Sequence, residues 1–214
     1  VEEAIERLFP KAVTVRLDSD SASVRHSMYH VLRDFALRKQ NLLLGTQIVT
    51  KGLDLPGVTL VGVLMADQGM GLPDFRASEK AFARLLQVAG RSGRSSQPGE
   101  VLIQTYAPDS PILDDAARQD YGSFYEREIL ARAEATYPPY VRLVNFLLSC
   151  EDESKLEQVA REFAERLRSL LGTANLPAKL LGPAPCPMYH LRRRFRRHLL
   201  VKTNQTVKLV QLLS

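Results

Sequence analysis

Only two cysteines and no tryptophan occur among the 214 residues. Cys150 and Cys186 lack any C-x-x-C spacing, so they offer neither a disulfide framework nor a zinc site, and a reducing setting is expected. Long apolar runs are missing as well. Leu42-Leu43-Leu44 and the interrupted stretch 58–66 are too short to span a bilayer, and Val1-Glu2-Glu3 carries no basic-plus-apolar signal. A soluble, cytoplasmic protein without membrane contact is expected. The sequence has no initiator Met, and residues 1–8 open in mid-helix pattern with no capping residue before them. That is the pattern of a piece of a longer chain. A G-x-x-x-x-G-K-[ST] phosphate loop is also absent, which excludes a self-contained nucleotide hydrolase of that kind.

What is present is ordinary globular composition, 45% apolar and 25% charged, which rules out disorder and collagen-like structure. The net charge of +5 is unevenly spread. Residues 1–107 hold 13 basic against 11 acidic side chains, and residues 108–214 hold 16 against 13. Five of those sixteen are Arg192, Arg193, Arg194, Arg196 and Arg197, without which the second half would be net acidic. The basicity is local.

Short apolar runs alternate with helical patterns through the first half: strand 12–17, helix 23–38, strand 41–46, strand 58–65, helix 78–89 and strand 100–106. The run 58–65 is continuous enough for burial on both faces. This order predicts a three-layer α/β unit with a parallel sheet over residues 1–107. Pro108 and Pro111 end it, an amphipathic stretch 112–135 follows as a helical linker over 108–136, and Tyr137-Pro138-Pro139-Tyr140 stops helix formation. Residues 137–214 read as a small α+β domain: strand 141–150, helix 153–171, strand 179–181, a Pro-rich turn, strand 196–203 and a last helix from 206.

Two segments carry chemistry. In Gln87-Val88-Ala89-Gly90-Arg91-Ser92-Gly93-Arg94, glycines let the backbone approach a ligand, and two arginines offer permanently charged, bidentate contacts to phosphate. Alone it reads equally as a solvated turn. Upstream, Gly45-Thr46-Gln47-Ile48-Val49-Thr50-Lys51-Gly52-Leu53-Asp54 runs from a buried strand into a polar loop. Together, in order, the two resemble motifs V and VI of superfamily 2 helicases, which lie in the second of two RecA-like lobes. The resemblance implies that Gly45, Thr46 and Lys51 face the nucleic-acid backbone and that Gly52 and Asp54 couple strand contact to the nucleotide site. It further implies that Gln87, Arg91 and Arg94 face ATP held by the first lobe.

Further segments narrow the likeness: Asp74-Phe75-Arg76-Ala77-Ser78-Glu79, Arg16-Leu17-Asp18-Ser19-Asp20, Tyr137-Pro138-Pro139-Tyr140 with Arg142-Leu143, and Leu181-Gly182-Pro183-Ala184-Pro185. Over about residues 1–203 the chain is similar to the bacterial primosomal protein N′ family of replication-restart helicases. That implies a DNA-dependent ATPase unwinding with 3′ to 5′ polarity at branched or forked DNA, associated with the nucleoid. By the same resemblance its partners are primosome proteins and the single-stranded DNA-binding protein. It also implies that ATP and Mg²⁺ are held mainly by a first lobe not in this sequence, and zinc by an upstream cysteine cluster, so that this piece alone should be inactive. No metal site is expected here. The chain departs from the family's usual residues at Gln68-Gly69-Met70-Gly71-Leu72, which sequence reasoning does not explain.

The cluster Arg192, Arg193, Arg194, Phe195, Arg196 and Arg197 reads as a DNA contact, arginines on phosphates and the aromatic on an unpaired base, against the blander alternative of a solvated edge strand. Asp18 and Asp20 read as turn or capping residues rather than a metal pair, and the four histidines share no ligand spacing with the cysteines. Tyr121, Phe124 and Tyr125 read as a packing face between domains. Two rival readings stay open: another superfamily 2 translocase acting on RNA or DNA, and a non-catalytic nucleic-acid-binding or interaction module.

Overall fold

A computed structural model describes residues 2–17, 24–46, 55, 57–90 and 99–213, the side chains of 24–28 apart. The chain divides into two compact units. One comprises Val1–Gly71 with Ser78–Phe124, and the other comprises Leu72–Ala77 with Tyr125–Ser214.

The first unit opens with helix α1 (Glu2–Leu8) and strand β1 (Thr14–Leu17), followed by α2 (Val24–Ala36), β2 (Leu42–Gly45), β3 (Leu60–Val63), α3 (Ala77–Ala89) and β4 (Glu100–Ile103). β1 pairs parallel with β2, from Thr14↔Leu42 to Leu17↔Gly45, and β3 pairs parallel with β4, from Leu60↔Glu100 to Val63↔Ile103. Parallel neighbours need a crossover. α2 supplies it for the first pair and α3 for the second. These are the parallel α/β units expected from the alternation of strand and helix patterns. The run 58–65 departs from expectation in one respect: Leu60 and Leu64 are 55% and 59% exposed. β3 alternates exposed and half-buried residues rather than being covered on both faces.

α3 is amphipathic by spacing. Ala81, Phe82, Leu85 and Val88 are buried, while Ala83, Arg84 and Gln87 are exposed. Phe82 stacks face to face on Phe124, 4.1 Å between centroids, and Leu85, Leu113 and Ala116 complete that core. Of the expected aromatic face only Phe124 is buried; Tyr121 and Tyr125 are exposed. The stretch 112–135 forms two helices, α4 (Pro111–Arg118) and α5 (Tyr121–Glu134). Gln119 takes a left-handed φ of 56° that ends α4, and Asp120 restarts the helix by accepting from Ser123 N and Oγ at 3.0 and 2.7 Å.

The second unit has β5 (Arg142–Cys150), α6 (Glu153–Thr173), β6 (Lys179–Leu191), β7 (Arg194–Thr203) and α7 (Thr206–Leu213). The sheet is antiparallel in the order β5-β7-β6. Leu199 and Val201 on the central strand are fully buried, and Val201 packs with Leu167 and Leu171 of α6 and Leu209 of α7. Asp152 caps α6 by accepting from Lys155 N at 3.0 Å.

The Pro-rich turn predicted between two strands is instead part of one long strand. β6 runs through Pro183, Pro185 and Pro187 with register shifts against β7. Proline is tolerated there because β6 is an edge strand, where a missing N–H has no ladder partner to lose. Gly182 has a φ of +92°, and a Cβ at that position would lie 2.8 Å from His198 O, so the Leu-Gly-Pro segment needs glycine for conformation and for space.

Asp67, just past β3, ties that strand to the end of β4. It accepts from Thr105 Oγ1 at 2.6 Å and from Tyr106 N at 2.8 Å. These bonds hold its carboxyl below the ordinary value of 3.8. A lowered folded-state pKa gives stability that is present above the unfolded value and lost as pH falls through the folded one. Asp67→Asn is therefore expected to unfold at a lower temperature than the parent at neutral pH, with the gap closing below pH 3.8, as followed by circular dichroism melts across pH.

Candidate functional site

Of the residues that the motif resemblance assigns to nucleic-acid contact, the structure describes Gly45, the last residue of β2, and Thr46 directly after it, both exposed. They stand at the carboxyl end of a parallel strand, the edge at which open α/β sheets hold ligands. Gln87 lies on the exposed side of α3, near its C-terminal end. Lys51, Gly52, Asp54, Arg91 and Arg94 lie outside the described residues, as do Asp18 and Asp20.

The arginine cluster in the second unit is fully placed, and its members divide. Arg192 and Arg193 form the two-residue link between β6 and β7, with φ of 52° and 61°. A tight hairpin of this kind wants positive φ at both central positions and normally recruits Asn-Gly. Arginine in that conformation costs roughly 1–2 kcal/mol per residue. The guanidinium groups of Arg192, Arg193 and Arg196 make no ion pair or hydrogen bond among the described residues. Arg194 is engaged internally: it donates to Ser149 O at 2.9 Å and lies 3.6 Å from Glu151. Arg197 is engaged too. Its side chain is 15% exposed, Nη2 is 2.5 Å from Glu157 Oε2, and its guanidinium sits 5.9 Å over the ring of Tyr189. Its Nε finds no hydrogen-bond partner among the described residues. Tyr189 donates its hydroxyl proton to Glu153, which raises the phenol's pKa. Phe195 is half-buried, with its ring 4.8 Å from His190 and 5.6 Å from Tyr189.

A second constellation was missed as a site by sequence reasoning, although its residues lie in segments that reasoning had singled out. Leu72–Ala77 belongs to the second unit. There Asp74 makes a turn, accepting from Arg76 N at 3.0 Å, and Arg76 Nε lies 3.5 Å from Asp74 Oδ1. Phe75 stacks on Tyr137, with centroids 5.4 Å apart and planes 8° apart. The guanidiniums of Arg132 and Arg76 lie 5.2 and 5.4 Å from the Phe75 ring. Arg132 is held in turn by Glu128 at 2.8 Å. On Tyr137 sits Lys202, its Nζ 3.5 Å from the ring centroid while donating to Ala135 O at 2.8 Å. Lys202 is 7% exposed, and burial, with Lys179 across the strands, pushes its pKa below the usual lysine value. The Asp-Phe-Arg and Tyr-Pro-Pro-Tyr segments are thus two sides of one column, a pairing that only tertiary structure reveals. Among the described residues no group of three or more His, Cys, Asp or Glu could hold a metal ion, and no helix is long and apolar enough to cross a membrane.

Residues 6–96 match the helicase conserved C-terminal domain. The first unit is accordingly a RecA-like second lobe of the helicase class. Residues 133–214 match the primosomal protein N C-terminal domain, and the chain belongs to the primosomal protein N′ family as its C-terminal part. It is 39% identical over 214 residues to replication restart protein PriA of Bacillus subtilis, covering 100% of this chain and 26% of that protein. With the same protein of Chlamydia trachomatis it shares 40% over 206 residues, 95% of this chain and 27% of that one. With that of Chlamydia pneumoniae it shares 38% over 203 residues, again 95% and 27%. The chain spans about a quarter of the length of these curated relatives. The solved C-terminal domain of the DEAD-box protein Dbp5 overlaps 62% of this chain and 78% of its own, at 19% identity and a TM-score of 0.36, a likeness too slight to argue from.

The split among the arginines makes a prediction. Arg197→Met removes a partly buried ion pair and leaves half-buried Glu157 with Arg161 as its remaining partner, and should lower stability by about 1–2 kcal/mol, whereas Arg192→Met should leave it within about 0.5 kcal/mol, as for exposed substitutions elsewhere. Urea unfolding of the two variants beside the parent measures both.

Proposed function

We propose that the protein of which this chain is part is an ATP-dependent DNA helicase, hydrolysing ATP to move 3′ to 5′ and acting at branched or stalled forks in replication restart. The observation that carries this is the order of two domains in one chain, a helicase C-terminal lobe followed by a primosomal C-terminal domain.

In this reading ATP with Mg²⁺ lies between a first lobe and the present one. The residues here suit the outer side of such a site and no more. Gln87, Arg91 and Arg94 have the donor chemistry to meet a γ-phosphate, and the sequence contains no phosphate loop to cradle the rest. ATP supplies the free energy. Arg91 and Arg94 place positive charge where negative charge develops as the lobes close. Gly52 and Asp54 join that site to the strand contact, and Gly45, Thr46 and Lys51 hold the strand's phosphates. The second unit holds the branch through Arg192, Arg193 and Arg196, while Arg194 and Arg197 brace the hairpin that presents them. Two arginines kept in a costly turn conformation, with no ion pair or hydrogen bond to their guanidiniums among the described residues, support a polyanion as their partner. Phe195 contributes from the same strand. Zinc, if the family's upstream cysteine cluster is present, lies outside this sequence. Primosome proteins and the single-stranded DNA-binding protein are the expected protein partners, in a cytoplasmic, nucleoid-associated setting.

The test uses the full-length protein. Arg94→Ala should reduce DNA-stimulated ATP turnover by about 10³-fold or more, the scale on which arginine fingers act, while affinity for forked DNA stays within about threefold of the parent. Undiminished turnover would remove Arg94 from the nucleotide site.

A further inference from the structure

We infer that the face of the β5-β7-β6 sheet turned away from α6 is a docking surface for the sugar–phosphate backbone of a DNA strand. This rests on the reading that the second unit binds DNA, and it extends the contact from the hairpin onto the open sheet behind it. The observation behind it is how charge divides between the two faces of that sheet.

Side chains alternate between faces along a strand. On β7, Arg197 meets Glu157 of α6, and Val201 packs with Leu167 and Leu171 of the same helix. Leu199 and Val201 are accordingly closed off from solvent. Arg196, His198 and Leu200 therefore face the other way, and each stays partly exposed. β5 agrees. Val144 and Phe146 pack into the core with α6, whereas Asn145, Leu147 and Ser149 are exposed. Those three stand directly opposite Leu200, His198 and Arg196, so the six residues form one patch.

The three strands contain no aspartate or glutamate. Glu153 and Glu157 sit on α6, engaged by Tyr189 and Arg197, and Glu151, past the end of β5, lies 3.6 Å from Arg194. The helix side is thus neutralised in pairs, while the guanidinium of Arg196 has no ion pair or hydrogen bond among the described residues. Protection of a sheet edge does not account for this charge, because Arg196 and His198 lie on the central strand. The Asn145 amide and the Ser149 hydroxyl add uncharged donors, of the kind that position phosphate oxygens without reading sequence. Leu147, 49% exposed in the middle of the patch, gives sugars an apolar contact and brings no competing charge. The patch holds no phenylalanine, tyrosine or tryptophan on which a base could stack, which favours the backbone as the partner. Arg192 and Arg193, just before β7, continue the basic track into the hairpin.

The experiment uses the full-length protein and a forked DNA, with affinity measured by fluorescence anisotropy at several salt concentrations. Leu147→Glu should bind about threefold more weakly and Leu147→Lys about threefold more tightly near 0.1 M salt, the scale for a unit charge about 7 Å from a phosphate across water. Both shifts should shrink as salt rises. Val159→Glu and Val159→Lys, at an exposed position of α6, should stay within about 1.5-fold of the parent. A photocrosslinking p-benzoylphenylalanine in place of Leu147 should yield a product with the DNA. Misfolding would weaken both Leu147 variants together and overturn the inference. Shifts as large at Val159 as at Leu147, no shift at Leu147, or a crosslink from position 147 to protein in place of DNA would overturn it as well. A parent without affinity for forked DNA defeats the proposed function itself, whereas a parent that binds and ignores both Leu147 substitutions defeats this inference alone.

Discussion

The parallel stack of Phe75 on Tyr137 holds a six-residue segment from the middle of the chain against a unit otherwise made from its C-terminal end. Stacked pairs contribute about 0.5–1.5 kcal/mol beyond their buried area, and each cation over a ring adds on the order of 0.5–1 kcal/mol at partly exposed sites. Those amounts are small against a whole domain. They act at one point, however, and that point fixes where α3 starts. Lys202 shows what the column asks of its neighbours: its ammonium is taken from water, its pKa falls, and an aromatic face and a carbonyl replace the lost solvent.

A similar economy governs the arginines. Five fall within six positions, yet Arg192, Arg193 and Arg196 have no ion pair or side-chain hydrogen bond among the described residues. Arg197 lies inside, between Glu157 and Tyr189, and Arg194 fastens the hairpin to the end of β5. A basic cluster in a sequence therefore has two parts with different physics. One part is screened by salt and acts at a distance; the other is local structure that orients the first.

Much of the fold could be read from sequence because its signals are short-range. The helical pattern over 78–89 marks α3 and that over 153–171 marks α6, each within a few residues of its observed bounds. What escaped depended on partners far along the chain. The break at Gln119 is a single left-handed residue of a type not favoured there. Pro183, Pro185 and Pro187 suggest a turn, and only the position of β6 at the sheet edge makes them strand. The turn itself falls on Arg192 and Arg193, which carry none of the usual turn chemistry. Asp74-Phe75-Arg76 and Tyr137-Pro138-Pro139-Tyr140 were each legible as family segments, but nothing in either sequence says that one stacks on the other. For the site, the type and order of the motif residues carry the resemblance to phosphate- and strand-contacting motifs, while Lys51, Gly52, Asp54, Arg91 and Arg94 lie outside the described residues.

The most direct measurement is the rate of ATP hydrolysis by the full-length protein with and without forked DNA at fixed salt. The proposed function predicts slow turnover alone and a rise of about tenfold or more once the fork is added. Hydrolysis that is absent with DNA, or equally fast without it, would contradict the account.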